Sequence, residues 1–231
     1  MLVIITGASK GIGFELMKQF ANSGYLVIAV SRNVTSIQKF VKSGDIVNVM
    51  PVAADISKAA GIKKVYQSCK VLNKPISILI NNAGQILVKP FQKITEKEIQ
   101  SVYQTNVFGP FLLIQSLLPL MGKKSKTHIV NISSMGGFQG SAKFAGLSAY
   151  SSSKTALVGL TECLAEELKS TSISINCLAI GAVQTEMLSK AFPGYKAPLK
   201  ANQMAEYIKE FAVSGSKFYN GKVLPVSSTT P

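Results

Sequence analysis

The sequence predicts a doubly wound α/β fold, a single domain in which seven parallel strands form one sheet between two layers of helices. Two observations carry this prediction. Short runs rich in Val, Ile and Leu alternate along the chain with longer stretches whose apolar residues recur at helical spacing. A glycine-rich turn joins the first such run to the first helical stretch, as a tight strand-to-helix connection requires.

The composition is that of one globular domain. Apolar residues make up 47% of the 231 residues, which is enough for a substantial core. No run of about 18 apolar residues occurs, and the chain begins directly with a predicted strand rather than a signal peptide. We therefore expect a cytoplasmic protein without a membrane segment.

Charge and the rarer residue types exclude several classes of function. A net charge of +14 would attract any polyanion, but the lysines are dispersed and basic–aromatic motifs are missing, so we predict no nucleic-acid partner. The three cysteines lack metal-ligand spacing and are expected to be reduced thiols. The single histidine, His128, excludes histidine triads and multi-histidine sites, so we predict no metal site.

The turn after the first strand (residues 2–6) has the spacing GxxxGxG and precedes the amphipathic stretch FELMKQFANSGY. Glycines let the backbone turn sharply and let a bulky anion approach, and the unpaired amides at the start of the next helix can hold a pyrophosphate. A plain tight connection is the alternative interpretation, because the spacing differs from the common GxGxxG.

The second strand, within YLVIAVSRN, ends at Ser31 and Arg32. Enzymes that prefer NAD place an acidic residue near this point, whereas an arginine accommodates the 2′-phosphate of NADP. Neither aspartate of the chain, Asp45 or Asp55, lies at this strand end. Arg32 and Ser31, with Lys10 in the facing turn, therefore favour NADP over the alternative of a solvated loop arginine.

Two further strands follow, each after a short helix. DIVNVMPVAADIS is predicted to end at Asp55 and Ile56, a polar and an apolar residue that suit the amino group and ring face of adenine. ISILINNAG continues into Asn82, Ala83 and Gly84, where small residues permit close approach of a ligand and asparagine amides can tie adjoining strands together.

ITEKEIQSVYQTNVFGPFLLIQSLLPLMGKK predicts one long helix, entered through Thr95 with Glu98 at capping-box distance and bent by Pro110. Asn106 lies inside this helix. Because asparagine is a poor helix former, it is tolerated there when its amide has a function. A buried asparagine that bonds within its own helix is the competing interpretation.

The fifth strand, THIVNISS, ends in two hydroxyls at the sheet edge where such folds place their chemistry. In the next helix, Tyr150 and Lys154 are four positions apart and share one face. A lysine cation one turn away favours the phenolate and should lower the pKa of the tyrosine, which would make Tyr150 an acid or base. Ser134 could donate to the same substrate oxygen. A plain surface pair is the alternative interpretation of the Tyr–Lys dyad.

The C-terminal part predicts a sixth strand, SISINCLAI, then a substrate lid at residues 186–200 that includes Pro193 and Pro198, a last helix within NQMAEYIKEFAVSG, and a closing strand within GKVLPVS.

Four motifs occur in register: TGASKGIG, NNAG, the strand end at Ser134 and YSSSK. In this order and at these intervals they resemble the classical short-chain dehydrogenase/reductase family, with matches from residue 3 to about residue 187. The resemblance implies a single Rossmann-fold domain that binds NADP(H) and transfers a hydride between the nicotinamide and a carbonyl or alcohol carbon.

The resemblance also implies the role of each site residue. Those expected to hold the cofactor are Gly7, Ser9, Lys10, Gly11, Ile12 and Gly13 at the pyrophosphate, Ser31 and Arg32 with Lys10 at the 2′-phosphate, Asp55 and Ile56 at the adenine, Asn82, Ala83 and Gly84 at the ribose, and Val183 and Thr185 at the nicotinamide. The catalytic set would be Tyr150 as proton donor, Ser134 beside it, Lys154 at the nicotinamide ribose, and Asn106 positioning a relay water.

The chain departs from the family pattern at three points. The interval from Ser134 to Tyr150 is longer than usual, Ile180 stands where a proline is usual, and the lid is short. The expected function is a carbonyl reductase similar to the 3-oxoacyl-carrier-protein reductases. The substrate stays open among a carrier-bound acyl group, a small ketone, a sugar and a pterin. A non-catalytic NADP-binding redox sensor or scaffold is the alternative.

We further expect a homodimer or homotetramer, because two helices offer more apolar surface than one sheet face needs. The residues assigned to these outer faces are Leu112, Leu113, Leu117, Val158 and Leu164.

Overall fold

The structure is a computed structural model that describes residues 1–44, 46–122 and 125–228. Asp45, which entered the argument about the cofactor, lies outside these residues. Strands and helices alternate through most of the chain. The elements are β1 (Leu2–Thr6), α1 (Gly11–Asn22), β2 (Leu26–Ser31), α2 (Thr35–Ser43), β3 (Val49–Ala53), α3 (Ala59–Leu72), β4 (Ile76–Asn81), α4 (Glu96–Tyr103), α5 (Gly109–Leu117), β5 (Thr127–Ser134), α6 (Ser148–Glu167), β6 (Ile173–Ile180), β7 (Val183–Gln184), α7 (Glu186–Ala191), β8 (Leu199–Lys200), α8 (Ala201–Ser214) and β9 (Val223–Val226).

The main sheet has seven strands in the order β3-β2-β1-β4-β5-β6-β9, and every pairing is parallel. The predicted doubly wound, seven-stranded parallel sheet is therefore confirmed. The strand order reverses between β1 and β4, so the connections leave these two strands on opposite faces. A crevice opens at such a point beyond the carboxyl ends of the strands, where ligands bind in folds of this class.

Alternating side chains of β1 pack into two separate hydrophobic cores, one on each face of the sheet. Val3 and Ile5 belong to a cluster that includes Phe20 of α1, whereas Leu2 and Ile4 belong to a second cluster with helices on the opposite face. The period of two along a strand sends neighbouring side chains to opposite faces, so a strand covered by helices on both sides is apolar throughout.

The long helix predicted from Thr95 is interrupted. The capping box at its start is confirmed, since the Glu98 amide donates to the Thr95 hydroxyl at 3.3 Å and the Thr95 amide donates to the Glu98 carboxylate at 2.8 Å. A π-helical turn, Gln104–Phe108, then separates α4 from α5. The bend at Pro110 stays a prediction; the π-helical turn ends just before Pro110, which sits in the first turn of α5.

Two of the residues assigned to the outer helix faces are core residues. Leu113 and Leu117 are fully buried against the sheet, and Leu164 packs against the same cluster. Val158 is partly buried. Of the five predicted residues, Leu112 is the one that is 42% exposed, and Phe108 and Phe111 accompany it on the outside.

The ends of the predicted lid are tied together, because β7 and β8 form a small parallel pair of their own. Between them lies α7, whose first turn is capped by the Thr185 hydroxyl accepting from the Leu188 amide at 3.3 Å. Within the described ranges, none of the helices has the length and apolarity needed to span a bilayer.

Candidate active site

A cleft crosses the carboxyl ends of the strands at the point where their order reverses. Most of the residues predicted to contact a cofactor line it: Gly7, Ser9, Lys10, Gly11, Ile12, Ser31, Arg32, Asp55, Ile56, Asn82, Ala83, Gly84, Tyr150, Lys154 and Thr185. Gly13 and Val183 do not. A Cβ on Gly13 would lie 2.3 Å from the Gly7 carbonyl oxygen, so Gly13 is where the turn packs on itself. Val183 lines an adjoining cavity.

The start of α1 provides free backbone donors to this cleft. The helix has no side-chain cap and no acidic residue in its first turn, so its first N–H groups have no side-chain acceptor. Gly7 and Gly11 adopt positive φ, 70° and 55°, which places the helix N-terminus beside the cleft. Because this end also carries the positive end of the helix dipole, the turn fits a pyrophosphate.

The turn is braced against the end of β4. The Thr6 hydroxyl accepts from the amides of Asn82 and Ala83 at 3.1 and 3.0 Å, and the Asn82 side chain donates to the Thr6 carbonyl at 3.0 Å. Deeper in the sheet, Asn81 donates to Asn131 at 2.8 Å. Asparagine amides therefore tie adjoining strands, as predicted, and the Asn82 side chain is committed to the fold while its backbone borders the cleft.

The two basic residues at the rim differ in their surroundings. Arg32 is exposed and has no hydrogen bond or ion pair with the part of the chain that the structure describes. Lys10 instead forms an exposed ion pair with Glu186 of α7. Asp55 accepts from the amide and the hydroxyl of Ser57, at 3.0 and 2.7 Å.

Tyr150, Ser134 and Lys154 come together below the cleft. Ser134 lies near enough to Tyr150 to act on its pKa, and the Lys154 ammonium lies 5.9 Å from the centroid of the Tyr150 ring. Lys154 is buried, and its Nζ donates to the Ile132 carbonyl at 2.8 Å. The dyad is therefore not a solvated surface pair.

The expected effect of Lys154 on Tyr150 is wrong for the protein without a ligand. Burial raises the pKa of Tyr150 above its usual value, and the hydrogen bond from Ser134 opposes that change. Lys154 does not offset this rise, because its ammonium loses its proton near pH 8, before a phenol with a raised pKa would ionise. Its own pKa is lowered to about 8, chiefly because burial penalises the cation.

Asn106 lies in the π-helical turn and is fully buried. Its side-chain oxygen accepts from the Gln85 amide at 2.7 Å, and its side-chain nitrogen donates to the Gln85 carbonyl and to the Ser153 hydroxyl, both at 2.9 Å. Both side-chain N–H groups are therefore used, and the side-chain oxygen keeps one free lone pair. The main-chain carbonyl of Asn106 lacks the N–H donor that it would have in an α-helix. The residue four positions on is Pro110, which has no N–H.

Gly84 separates Asn106 from Lys154. A Cβ there would lie 3.5 Å from the Lys154 Nζ and 3.6 Å from the Asn106 side-chain oxygen. The glycine therefore leaves open the space between the cleft and the ammonium, which suits a ligand group such as a ribose.

Three residues outside the predicted site set contribute to the site. Ser133 lines the cleft and donates its hydroxyl to the Lys154 carbonyl at 2.9 Å, which fixes the start of α6 relative to β5. Cys177 lies close enough to Lys154 to oppose the lowering of its pKa. Glu186 pairs with Lys10. The strand-end pattern contains Ser133 as the first of its two hydroxyls. The roles of Cys177 and Glu186 depend on tertiary contacts that no local pattern shows.

A second cavity adjoins the cleft, and Tyr150 borders both. Ser134 lines this cavity, as do residues of the loop at 135–147 and of α7. The phenol therefore stands at the junction of two spaces, one that fits a nucleotide and one open to a second molecule.

A family profile described as short chain dehydrogenase matches residues 1–196. The chain belongs to the short-chain dehydrogenase family. It is an oxidoreductase of this family, whose members bind a nicotinamide cofactor and act on CH–OH or C=O groups of small molecules.

Among relatives of this short-chain dehydrogenase, dehydrogenase/reductase SDR family member 4 of Rattus norvegicus is 31% identical over 194 residues, which cover 81% of this chain and 67% of the rat protein. Ketoacyl reductase HetN of a Nostoc species is 29% identical over 217 residues, 90% of this chain and 75% of HetN. The crystal structure of 3-ketoacyl-(acyl-carrier-protein) reductase from Brucella melitensis complexed with NADH superposes with a TM-score of 0.86 at 28% identity, covering 97% of this chain and 96% of that one.

Proposed function

We propose that this short-chain dehydrogenase is an NADP(H)-dependent carbonyl reductase similar to the 3-oxoacyl-carrier-protein reductases. The observation that carries the proposal is the position of Tyr150, which borders both the cleft and the adjoining cavity that Ser134 also lines. A proton donor there reaches a substrate carbonyl in the cavity and a nicotinamide in the cleft. The names of the ketoacyl reductases among its relatives support the reaction class.

The cleft residues take the binding roles. The N-terminus of α1, with the turn from Gly7 to Gly13, holds the pyrophosphate. Ser31 and Arg32 hold the 2′-phosphate, Asp55 and Ile56 border the adenine, and the backbone at 82–84 borders the ribose. Val183 and Thr185 flank the nicotinamide. Lys10 reaches the 2′-phosphate only when its ion pair with Glu186 opens.

When bound, the nicotinamide supplies a hydride to the carbonyl carbon. The raised pKa of Tyr150 keeps the phenol protonated at neutral pH, so it is ready to donate a proton to the carbonyl oxygen in the reductive direction. The Ser134 hydroxyl orients the phenol and stabilises the charge that develops on the substrate oxygen. General acid catalysis of this kind contributes about 10² to 10⁴ in rate.

Lys154 and Asn106 resupply the proton. The pKa of Lys154, about 8, lets the ammonium release a proton near physiological pH. A water held by the main-chain carbonyl of Asn106, which has no α-helical N–H donor because Pro110 stands four positions on, would link the ammonium to solvent. Asn106 thus acts through its backbone in this proposal.

NADPH oxidation against a panel of ketones, aldehydes and acetoacetyl thioesters tests this function. We expect turnover with at least one carbonyl class. Tight binding of NADPH without turnover of any compound would instead favour the redox sensor or scaffold. The grouping of Ser134 and Tyr150 with the buried Lys154 argues for the enzyme, because a sensor needs no proton donor.

The choice of NADP rests on Arg32, which has no acidic partner in the described part of the chain. Arg32→Ala should weaken NADPH binding about 10- to 100-fold, because a charged hydrogen bond contributes about 1.5–3 kcal/mol, and should leave NADH binding nearly unchanged. Lys39→Ala removes an exposed charge away from the cleft and is the matched control. Equal losses for both nucleotides in Arg32→Ala would reject the 2′-phosphate site.

We also propose a homodimer or homotetramer that associates through the outer side of α5. Phe108, Phe111 and Leu112 are 48%, 44% and 42% exposed and adjoin in sequence, which makes one apolar patch beside the catalytic π-helical turn. Closed symmetry would pair this patch with its copy.

A further inference from the structure

The cavity beside Tyr150 is apolar except near the reacting atoms. Its polar side chains are Ser134, Tyr150, Ser151 and Thr185. The remaining walls are built from aliphatic, aromatic and small residues of α1, the segment after β4, the 135–147 loop, the region from the end of β6 to β7, and α7 with the residue that follows it. Within the described residues, no Asp, Glu, Lys, Arg or His side chain lines the cavity, although the chain as a whole carries 25 basic residues and 11 acidic ones.

Phe144 and Phe192 both line this cavity. Phe144 belongs to the long loop between β5 and α6, and Phe192 ends α7. Their ring centroids are 5.0 Å apart with an interplanar angle of 78°, an edge-to-face contact. Two segments that differ from the usual family pattern, the long loop and the short lid, thus meet through one aromatic pair.

Phe144 is anchored from both sides. Before it, the Lys143 ammonium donates to the carbonyls of Phe138 and Ser141 at 2.8 and 3.1 Å, which fixes the loop on itself. After it, the Lys89 amide donates to the Gly146 carbonyl at 2.9 Å and ties the loop to the segment after β4. Hydrogen bonds therefore hold the 135–147 loop on both sides of Phe144, and they fix the position of its ring in the cavity wall.

We propose that Phe144 and Phe192 determine specificity by admitting carbonyl compounds whose substituents next to the C=O group are uncharged and apolar, aryl or branched alkyl. This inference rests on the proposed carbonyl reductase function and narrows its substrate class. A carboxylate or phosphate next to the carbonyl would enter a cavity with no cationic partner, and transfer of an unpaired ion from water is strongly unfavourable. Sugars and 2-oxo acids are thereby disfavoured, whereas the acyl chain of a thioester fits if its ionised part stays outside.

Steady-state kinetics with a matched substrate pair tests the proposal. Phenyl ethyl ketone and phenylpyruvate both carry an aryl group, but only the second has a carboxylate beside the C=O group. We expect kcat/KM for the neutral ketone to exceed that for the oxo acid by at least 100-fold. Phe144→Ala and Phe192→Ala should each lower kcat/KM for the neutral ketone about 10- to 100-fold, mostly through KM, because lost apolar contacts weaken binding.

The matched control is Phe218→Ala, which removes an aromatic ring that is 78% exposed near the C-terminus, and it should leave both substrates unaffected. NADPH binding, followed by cofactor fluorescence in a chain that has no tryptophan, should be unchanged in all three variants. Leu188→Arg, which adds a cation to the cavity wall, should raise the activity toward phenylpyruvate at least tenfold.

Failure of this inference and failure of the proposed function give different results. Turnover of both substrates at similar kcat/KM, or full activity of both phenylalanine variants with the neutral ketone, overturns the specificity proposal and leaves the reductase intact. If no carbonyl compound is turned over, saturation-transfer NMR of phenyl ethyl ketone with the NADP⁺ complex tests whether the apolar cavity binds the ketone, independently of catalysis. Binding lost in Phe144→Ala supports the apolar site, and no binding to the unmodified protein rejects it.

Discussion

Lys154, whose ammonium is buried, makes the stability of the protein depend on pH. Its side chain is 4% exposed, and burial lowers its pKa from 10.5 to about 8. Between these pH values the unfolded chain binds more protons than the folded one, so the free energy of unfolding rises with pH. The lowered pKa of Lys154 corresponds to about 3 kcal/mol in the free energy of unfolding. This contribution is absent below pH 8 and is gained as the pH rises to 10.5.

Urea denaturation at several pH values checks this prediction. Between pH 8 and 10.5 the free energy of unfolding of the wild type should rise relative to that of Lys154→Met, which has no ammonium to titrate. Subtracting the two curves removes the contribution of the tyrosines. Parallel curves would mean that the folded protein holds Lys154 at its ordinary pKa.

The sequence predicted that Tyr150, Ser134 and Lys154 share one site, but not the direction in which the pKa of Tyr150 is shifted. The spacing of four places Tyr150 and Lys154 on one helix face, and the structure has them there. Whether the lysine or burial dominates the tyrosine pKa depends on what covers the pair. That covering comes from β5, Gly84 and Cys177, which are distant in sequence, so no local pattern contains it.

Among the elements, the π-helical turn Gln104–Phe108 joins the fold to the site. It turns Asn106 inward, where the side-chain amide satisfies both backbone groups of Gln85 and the hydroxyl of Ser153. The segment that follows β4 is thereby fixed to the start of α6. The extra residue in the turn also leads into Pro110, which leaves the Asn106 carbonyl without its α-helical donor.

Asn106→Ala should therefore lower the free energy of unfolding by roughly 2–4 kcal/mol, since it leaves buried donors and acceptors unpaired. Gln104→Ala, an exposed position in the same turn, should change it by no more than about 0.5 kcal/mol. Equilibrium urea unfolding of both variants measures the difference. Equal stability of the two would show that the Asn106 amide does not hold the turn in place.

The elements themselves were largely predictable, and their boundaries were not. The apolar runs and amphipathic stretches gave every strand of the main sheet. The helix α1, however, begins at Gly11 inside the glycine-rich turn, and β3 ends at Ala53, before Asp55. The β7–β8 pair escaped prediction because two-residue strands have no periodicity to detect.

At the scale of the whole molecule, the apolar patch on α5 predicts association. Phe111→Glu places a charge in the proposed interface and should convert the oligomer to a 24.7 kDa monomer in sedimentation velocity. Val71→Glu, at a position of α3 that is 78% exposed, should leave the mass unchanged. A wild-type protein that sediments at 24.7 kDa at micromolar concentration would contradict the proposed dimer.

The sequence could not show which side of α5 faces outward. Nearly all of its residues are apolar, so the pattern has no polar face from which to read the orientation. Leu113 and Leu117 proved to be core residues, whereas Phe108 and Phe111 lie outside. The order of the sheet was accessible by contrast, because parallel strands joined by helices allow few topologies.

The whole molecule brings a glycine-rich turn, a buried ammonium and an apolar cavity to one edge of a parallel sheet, and the phenol of Tyr150 stands where they meet. Its role as proton donor is the central claim. Tyr150→Phe removes one oxygen and preserves the ring that packs against Lys154. Tyr207→Phe, at a position 40% exposed on α8, is the matched control.

The most direct measurement is NADPH-dependent carbonyl reduction by Tyr150→Phe beside its NADPH dissociation constant. We predict that turnover falls by about 10² to 10⁴ while the dissociation constant changes less than about threefold, and that Tyr207→Phe matches the wild type. Wild-type turnover by Tyr150→Phe would contradict the account.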